Sequence, residues 1–277
     1  MLPSKYAKIV RDAVAKNTLL YKSGSAEAAA HVLSLQKDVR SALIMSKGFQ
    51  ATHLAKINAE LKRVGATFGK KLSSTVTANQ DAAWKLGAKS TADGLKATIG
   101  IDLAMLSDEL LIAAKDYAAE LITDLSKELI EKISADIRTG VVLGENPYET
   151  MQRVENHLFK DGEGAFFRAE TIVRTENNRI FGIANQERLS QAAKDLPKLR
   201  KIWVASSDER TRDSHYQAGI DYAPGGDPGP IPIDQPFVVG GEELMFPSDP
   251  EGAPRHGYKL QMRQRAVRRR LGSCCRR

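Results

Sequence analysis

Aromatic side chains are scarce, 6% of 277 residues, so any core built from this sequence is mainly aliphatic. Cysteine is scarcer still. The only two, Cys274 and Cys275, are adjacent, which excludes a disulfide framework and a Cys-rich zinc module. Proline is missing between Ser4 and Asn146, whereas eight of the 11 prolines fall between Pro224 and Pro254. Long uninterrupted helices are therefore open to the first half and closed to the last part. No run of about 18 apolar residues occurs, so no membrane-spanning helix is expected. The opening MLPSKYAKIVRDAVAK carries charge throughout, and no secretory leader is expected. A bacterial-type cytoplasm, or a particle assembled in one, is the expected compartment.

Acidic residues are missing from one segment. Residues 253–277 hold nine Lys and Arg and neither Asp nor Glu. The whole chain has 41 basic and 34 acidic residues, and without that segment 32 remain against 34. The body is thus close to neutral and the basicity belongs to the tail. A sequence pI near 9.3 does not by itself mark a basic nucleic-acid-binding domain. The remaining composition, 42% hydrophobic and 27% charged, is that of a globular protein large enough to bury a core.

The strongest helical period runs from about 101 to 138. Leu103, Leu106, Leu110, Ala114, Tyr117, Leu121, Leu125, Leu129 and Ile133 recur every three or four residues, and Gly140 offers a stop. Asn146-Pro147-Tyr148-Glu149 then predicts a capped start for a helix over about 147–159, with Pro147 in the first turn and Glu149 at the third position. A further helix is expected from about 163 to 194. Residues 5–100 give weaker patterns, with helices near 5–16, 25–46, 49–64 and 78–90. Being Ala-rich, these bury little area each and lean on tertiary packing. They read as a loose bundle or as an arm that docks on another subunit.

After Pro197 the pattern changes. Residues 201–205 predict a strand and 208–219 a short helix, followed by a Pro/Gly-rich loop over 221–234. Phe237-Val238-Val239, Gly240-Gly241 and Leu244-Met245-Phe246 predict a hairpin with a Gly-Gly turn. The expected fold class is α+β, mostly α. A helical region over 1–100 precedes a small α+β domain with leading helices over 101–254, and a basic tail follows over 255–277.

Two polar constellations stand out. In Arg174-Thr175-Glu176 the two charges are two residues apart on a helix, so each must reach a different partner. They tie the helix to its surroundings, or Arg174 binds an anion. In 208–215, Asp208 can cap the short helix, and Arg210 and Arg212 can fork onto carboxylates or phosphates. His215 there is a candidate base or metal ligand. Structural ion-pair networks are commoner than catalytic ones, and no second His or Cys stands at a ligand spacing. No catalytic residue, metal or cofactor is therefore assigned. Gly225-Gly226 and Gly240-Gly241 are turn glycines rather than a phosphate-cradling loop. In the tail, Arg268, Arg269, Arg270, Arg276 and Arg277 are candidate DNA contacts.

Together, R-A-E-T-I-V-R-T-E at 168–176, W-x-A-S-x-D-x-R-T-R-x-S-H at 203–215 and G-x-x-L-M-F-P-S-D-P at 241–250 resemble the phage Mu F-like head morphogenesis family. The resemblance extends over about 120–250 and leaves 1–100 without a motif. It implies a minor capsid protein of a tailed phage or prophage that acts in procapsid assembly. The implied partners are the portal protein and other capsid or scaffold proteins, with packaged DNA as a further one and no membrane. It implies location in the virion head, and in the host cytoplasm during assembly, with ejection alongside the DNA left open. It carries no catalytic chemistry over to this chain. Arg174, Glu176, Trp203, Asp208, Arg210, Arg212 and His215 become positions that hold the α+β domain together or form its surface. Two alternatives stay open: a metal-dependent hydrolase or nuclease using His215 with nearby carboxylates, and a DNA-binding protein acting through its tail.

The family's closing Asn-Cys-Arg-Cys-like motif is replaced here by His256-Gly257-Tyr258-Lys259-Leu260-Gln261-Met262-Arg263. One permitted set of codons for these residues, read one base later, encodes Met-Val-Ile-Asn-Cys-Lys-Cys. A change of frame near 251–257 would account for both the missing motif and the acid-free tail.

Overall fold

The computed structural model describes residues 4–45, 51–205 and 212–249. Among these are six α-helices and four short strands. The helices are α1 (Ser4–Met45), α2 (Leu54–Ile99), α3 (Glu109–Leu143), α4 (Pro147–Phe159), α5 (Ala165–Ala193) and α6 (Asp213–Asp221), with a 3-10 turn at Ala51–His53 before α2. The strands are β1 (Arg200–Lys201), β2 (Ile231–Pro232), β3 (Phe237–Val239) and β4 (Glu242–Leu244). The α+β, mostly helical class is therefore what the chain adopts. Chain contacts group into two units. One contains Tyr21–Asn79 and Lys115–Glu176, and the other contains Met1–Leu20, Gln80–Ala114 and Asn177–Arg277.

The first unit is a helical bundle. Val32, Leu35, Val39 and Leu43 of α1 meet Ile57, Leu61, Val64, Phe68 and Leu72 of α2, and Ile122, Leu125, Leu129, Ile133 and Ile137 of α3. Each set repeats at three- and four-residue spacing, which places one stripe of each helix on a common axis. Met151, Val154 and Leu158 of α4 and Ala165, Ala169 and Val173 of α5 complete this core. The helix expected at 147–159 forms at those bounds. Asn146 Oδ1 accepts from the backbone N–H of Tyr148 and Glu149, while Glu149 accepts from the Asn146 N–H.

Several helix boundaries differ from expectation. The breaks expected after 16 and 64 are absent, because glycine there serves close approach. A Cβ on Gly24 would lie 2.5 Å from Nδ2 of Asn79, and one on Gly65 would overlap Cγ1 of Ile130. Gly140 lies inside α3, and the chain turns instead at Gly144, where φ is +67°. Helix α3 begins eight residues later than expected. Gly100, at φ +73°, ends α2, and residues 100–106 run irregularly before Ser107 caps the Glu109 N–H.

The second unit holds two small cores. Ala83, Trp84 and Ala88 of α2 pack with Leu111, Ala114, Ile180 and Ala184, and the Trp84 indole donates to Asp108 at 3.2 Å. The other core gathers Trp203, Ala218, Tyr222, Ile231, Phe237, Val239 and Leu244. The expected strand over 201–205 shortens to Arg200–Lys201, which pairs antiparallel with Ile231–Pro232. Strands β3 and β4 form the expected hairpin, with Val238 opposite Glu243, but the second strand is Glu242–Leu244 rather than the expected 244–246, because the tight Gly240-Gly241 turn brings pairing back at once. Gly240 and Gly241 take φ of +60° and +84°, the left-handed pair that a tight two-residue hairpin turn requires. Helix α6 begins at Asp213 rather than 208; the proposed cap Asp208 lies outside the described residues.

Candidate functional site

Alternation along residues 201–203 puts Lys201 and Trp203 on the same side of the chain, and both are buried. The Trp203 ring meets Phe237 edge-on at 5.2 Å between centroids and His215 at 5.5 Å. Tyr222, at the end of α6, stands edge-on to Phe237 at 4.8 Å. Its hydroxyl accepts from the Val238 N–H at 2.7 Å. Helix α6 and strand β3 are thereby joined through two aromatic rings and one backbone hydrogen bond.

Lys201 is the buried charge of this region, 4% exposed. Its Nζ donates to the Met245 carbonyl at 2.9 Å and lies 4.9 Å from the centre of the Phe237 ring. Burial pushes its pKa down to about 8, against the opposing influence of Asp249 and Asp234. Asp249 accepts from the Met245 N–H at 2.7 Å. The L-M-F-P-S-D stretch is therefore a turn tied at both ends of the Met245 peptide. Phe246 from the same turn lies against Gly182 of α5, where a Cβ would come within 2.5 Å of its ring.

His215 sits on the inner side of α6, half-buried. Burial, reinforced by Arg212, moves its pKa below the ordinary histidine value, with Glu242 pulling the other way. Arg212 is exposed and precedes α6 without a side-chain cap. On α5, Arg174 is half-buried and Glu176 is 1% exposed. Arg174 and Glu176 belong to the helical bundle unit, whereas Trp203, Arg212 and His215 belong to the other. Asp208, Arg210 and the tail residues Arg268, Arg269, Arg270, Arg276 and Arg277 lie outside the described residues. Lys201, Tyr222, Phe237 and Asp249 are structurally central and were not singled out from the sequence. The i, i+2 relation of Lys201 to Trp203 is the sequence signal that could have found the lysine.

The bundle unit has a cleft of about 570 Å³ between α3, α4 and α5. Its charges are mutually satisfied. Glu128 accepts from Lys132 at 2.7 Å and from Arg168 at 2.8 Å, and these bonds hold its carboxyl below the usual range. Lys160 pairs with Glu163 at 2.7 Å, and His157 lies 2.9 Å from Asp136. No Ser, Thr or Cys stands among the cleft's lining residues to serve as a nucleophile beside His157. Among the described residues no group of three or more His, Cys, Asp or Glu gathers as a metal site. The charged groups of the cleft bind one another, and the Trp203 cluster is held by ring packing, with the buried Trp203 Nε1 making no hydrogen bond among the described residues.

Comparison with known proteins bears on the same segment. Neither the curated proteins nor the solved structures include a match to this chain. A family model described as Phage Mu protein F like protein matches residues 131–222. This range takes in the end of α3, all of α4, α5 and α6, and the motif positions from Arg174 to His215, but not the turn that carries Asp249. Over residues 131–222 the chain is thus similar to the Phage Mu protein F like family.

Proposed function

We propose that this chain is a minor head protein of a tailed phage or prophage, acting in procapsid assembly beside the portal. The family match over 131–222 carries this reading. The character of the matched segment supports it. Its Trp203 and His215 rings pack on each other and its Tyr222 hydroxyl accepts from the Val238 backbone, as suits a scaffold rather than a reaction centre. The proposed partners are the portal protein and other capsid or scaffold proteins, with packaged DNA in addition. No helix among the described residues is long and apolar enough to cross a membrane. The proposed location is the virion head, reached from the host cytoplasm during assembly, and the proposal extends to ejection alongside the DNA. The role is non-enzymatic.

Co-expression with the portal protein encoded in the same phage genome tests this. The chain is expected to co-purify with portal oligomers and to turn over no phosphodiester or ester substrate. Metal-dependent hydrolysis that disappears in folded His215→Ala protein, without portal association, would replace the assembly role with the hydrolase alternative.

A further inference from the structure

The neutrality of the chain body is an average of two opposite charges. Within the bundle unit, residues 21–79 hold nine Lys and Arg against three Asp and Glu, while residues 115–176 hold eight against thirteen. The basic excess has a definite place on α2. Lys56, Arg63 and Lys70 follow one another every seven residues, so they share one side of the helix and step about 10 Å along it. Lys62 and Lys71 flank that row, and all five residues are exposed. The apolar stripe Ile57, Leu61, Val64, Phe68 and Leu72 occupies the opposite side and is buried in the core.

Two features decide what such a face fits. First, most of its charge is uncommitted. Glu60 is the only acid on α2 before Asp81, and it pairs with Arg63. Lys56, Lys62, Lys70 and Lys71 form no ion pair among the described residues. Second, the exposed side chains among and beside the cations are small: Ala55, Ala59, Ala66 and Ser74. None of the large exposed hydrophobic residues lies in 54–79. A protein partner is held chiefly by buried aromatic and Arg anchors, and lysine and alanine are depleted from such interfaces. A phosphate backbone asks for neither anchor nor pocket. It asks for cations on a surface that lets the two backbones come close.

We propose that the outer face of α2 over Lys56–Lys71 is a binding surface for the phosphate backbone of duplex DNA, independent of base sequence. The proposal does not depend on the head-protein role, and it places DNA contact on the folded bundle rather than on the arginine tail. The acidic remainder of the unit, over 115–176, would then turn away from DNA and orient the approach.

The test uses the full chain and a fluorescent duplex of about 20 base pairs, with affinity measured between about 50 and 200 mM salt. Three to five phosphate contacts contribute about −2.7 to −4.5 to the slope of log affinity against log salt. Three contacts alone correspond to an affinity loss of about 40-fold over that range. The triple substitution Lys56→Gln, Lys62→Gln, Lys70→Gln should make the slope shallower by about 3, while helicity by circular dichroism is unchanged. Lys56→Arg with Lys70→Arg should keep the wild-type slope, and so separates loss of charge from loss of fold.

Replacing Arg268, Arg269, Arg270, Arg276 and Arg277 by Gln measures the tail alone. The proposal is overturned if that tail variant removes all binding, or if the α2 triple variant keeps the wild-type slope. It is also overturned if polyglutamate competes as well as DNA at equal charge, which would make the face a site for acidic protein. Because the readout needs only purified chain and DNA, its failure leaves the head-protein role untouched, and the converse holds.

Discussion

Lys201 Nζ donates to the Met245 carbonyl at 2.9 Å from a side chain that is 4% exposed. A buried ammonium is tolerated here because a carbonyl, the Gln186 side chain and the Phe237 ring face surround it. Its pKa in the folded protein is about 8, against 10.5 for a free lysine side chain. Between those values the unfolded chain binds the proton and the folded chain does not, so stability rises with pH across the window. Below pH 8 both forms are charged and the cost of burial is fully present. Wild-type protein should therefore gain on the order of 3 kcal/mol relative to Lys201→Met between about pH 7 and 10.5. Paired urea denaturation series check this, and a difference that stays flat with pH would contradict it.

His215 carries a pH signature of the same sign on the acid side. Its pKa is lowered first by burial against Trp203 and then by Arg212. Below the ordinary histidine value the unfolded chain takes up the proton first, so stability is full above about pH 6.5 and falls as pH drops through that range. NMR titration should show the His215 ring changing charge at lower pH than a free histidine. Glu242→Gln should push that midpoint lower still. A midpoint above 6.5, or a rise in Glu242→Gln, would refute the assigned environment.

The start of α4 depends on Asn146. Its Oδ1 accepts from two helix N–H groups, and Glu149 returns a bond to its backbone. Asn146→Ala should cost about 1 kcal/mol in denaturant unfolding, while Asn146→Asp keeps the acceptor and costs a few tenths. Equal stability of the alanine variant would mean that the cap contributes nothing.

Gly65 and Ile130 form a close contact between α2 and α3. A methyl group on Gly65 would overlap Cγ1 of Ile130, so Gly65→Ala should destabilise the protein by about 1–3 kcal/mol. In an Ile130→Ala background the same change should cost markedly less, because the space it needs has been opened. Additive effects in the double variant would place the cost elsewhere, in helix geometry rather than in this contact.

How much of this was legible in the sequence follows from which forces act locally. The capping box at Asn146 and the Gly240-Gly241 hairpin are fixed by neighbours in the chain, and both were readable. The continuity of α1 and α2 was not. Gly24 and Gly65 look like breaks until Asn79 and Ile130 are seen to occupy the space a side chain would take. The false start of α3 has a similar cause. Leu103 and Leu106 keep the helical period, yet Gly100 and the bond from Trp84 to Asp108 hold that segment out of the helix. At the candidate site, the resemblance marked Trp203 and His215, and these two rings do meet. Lys201 went unmarked because a lysine in a short strand ordinarily reads as solvent-facing. The charge division within the bundle was hidden for a simpler reason: summing over the chain cancels it.

Quantitative peptide mass spectrometry on purified proheads and mature particles tests the central claim most directly. The account predicts peptides from within residues 1–249 at a copy number far below that of the major capsid protein. A peptide from the C-terminal region will also show whether the arginine-rich ending or an Asn-Cys-Lys-Cys ending is made. Absence of the chain from both proheads and mature particles would contradict a role as a head component.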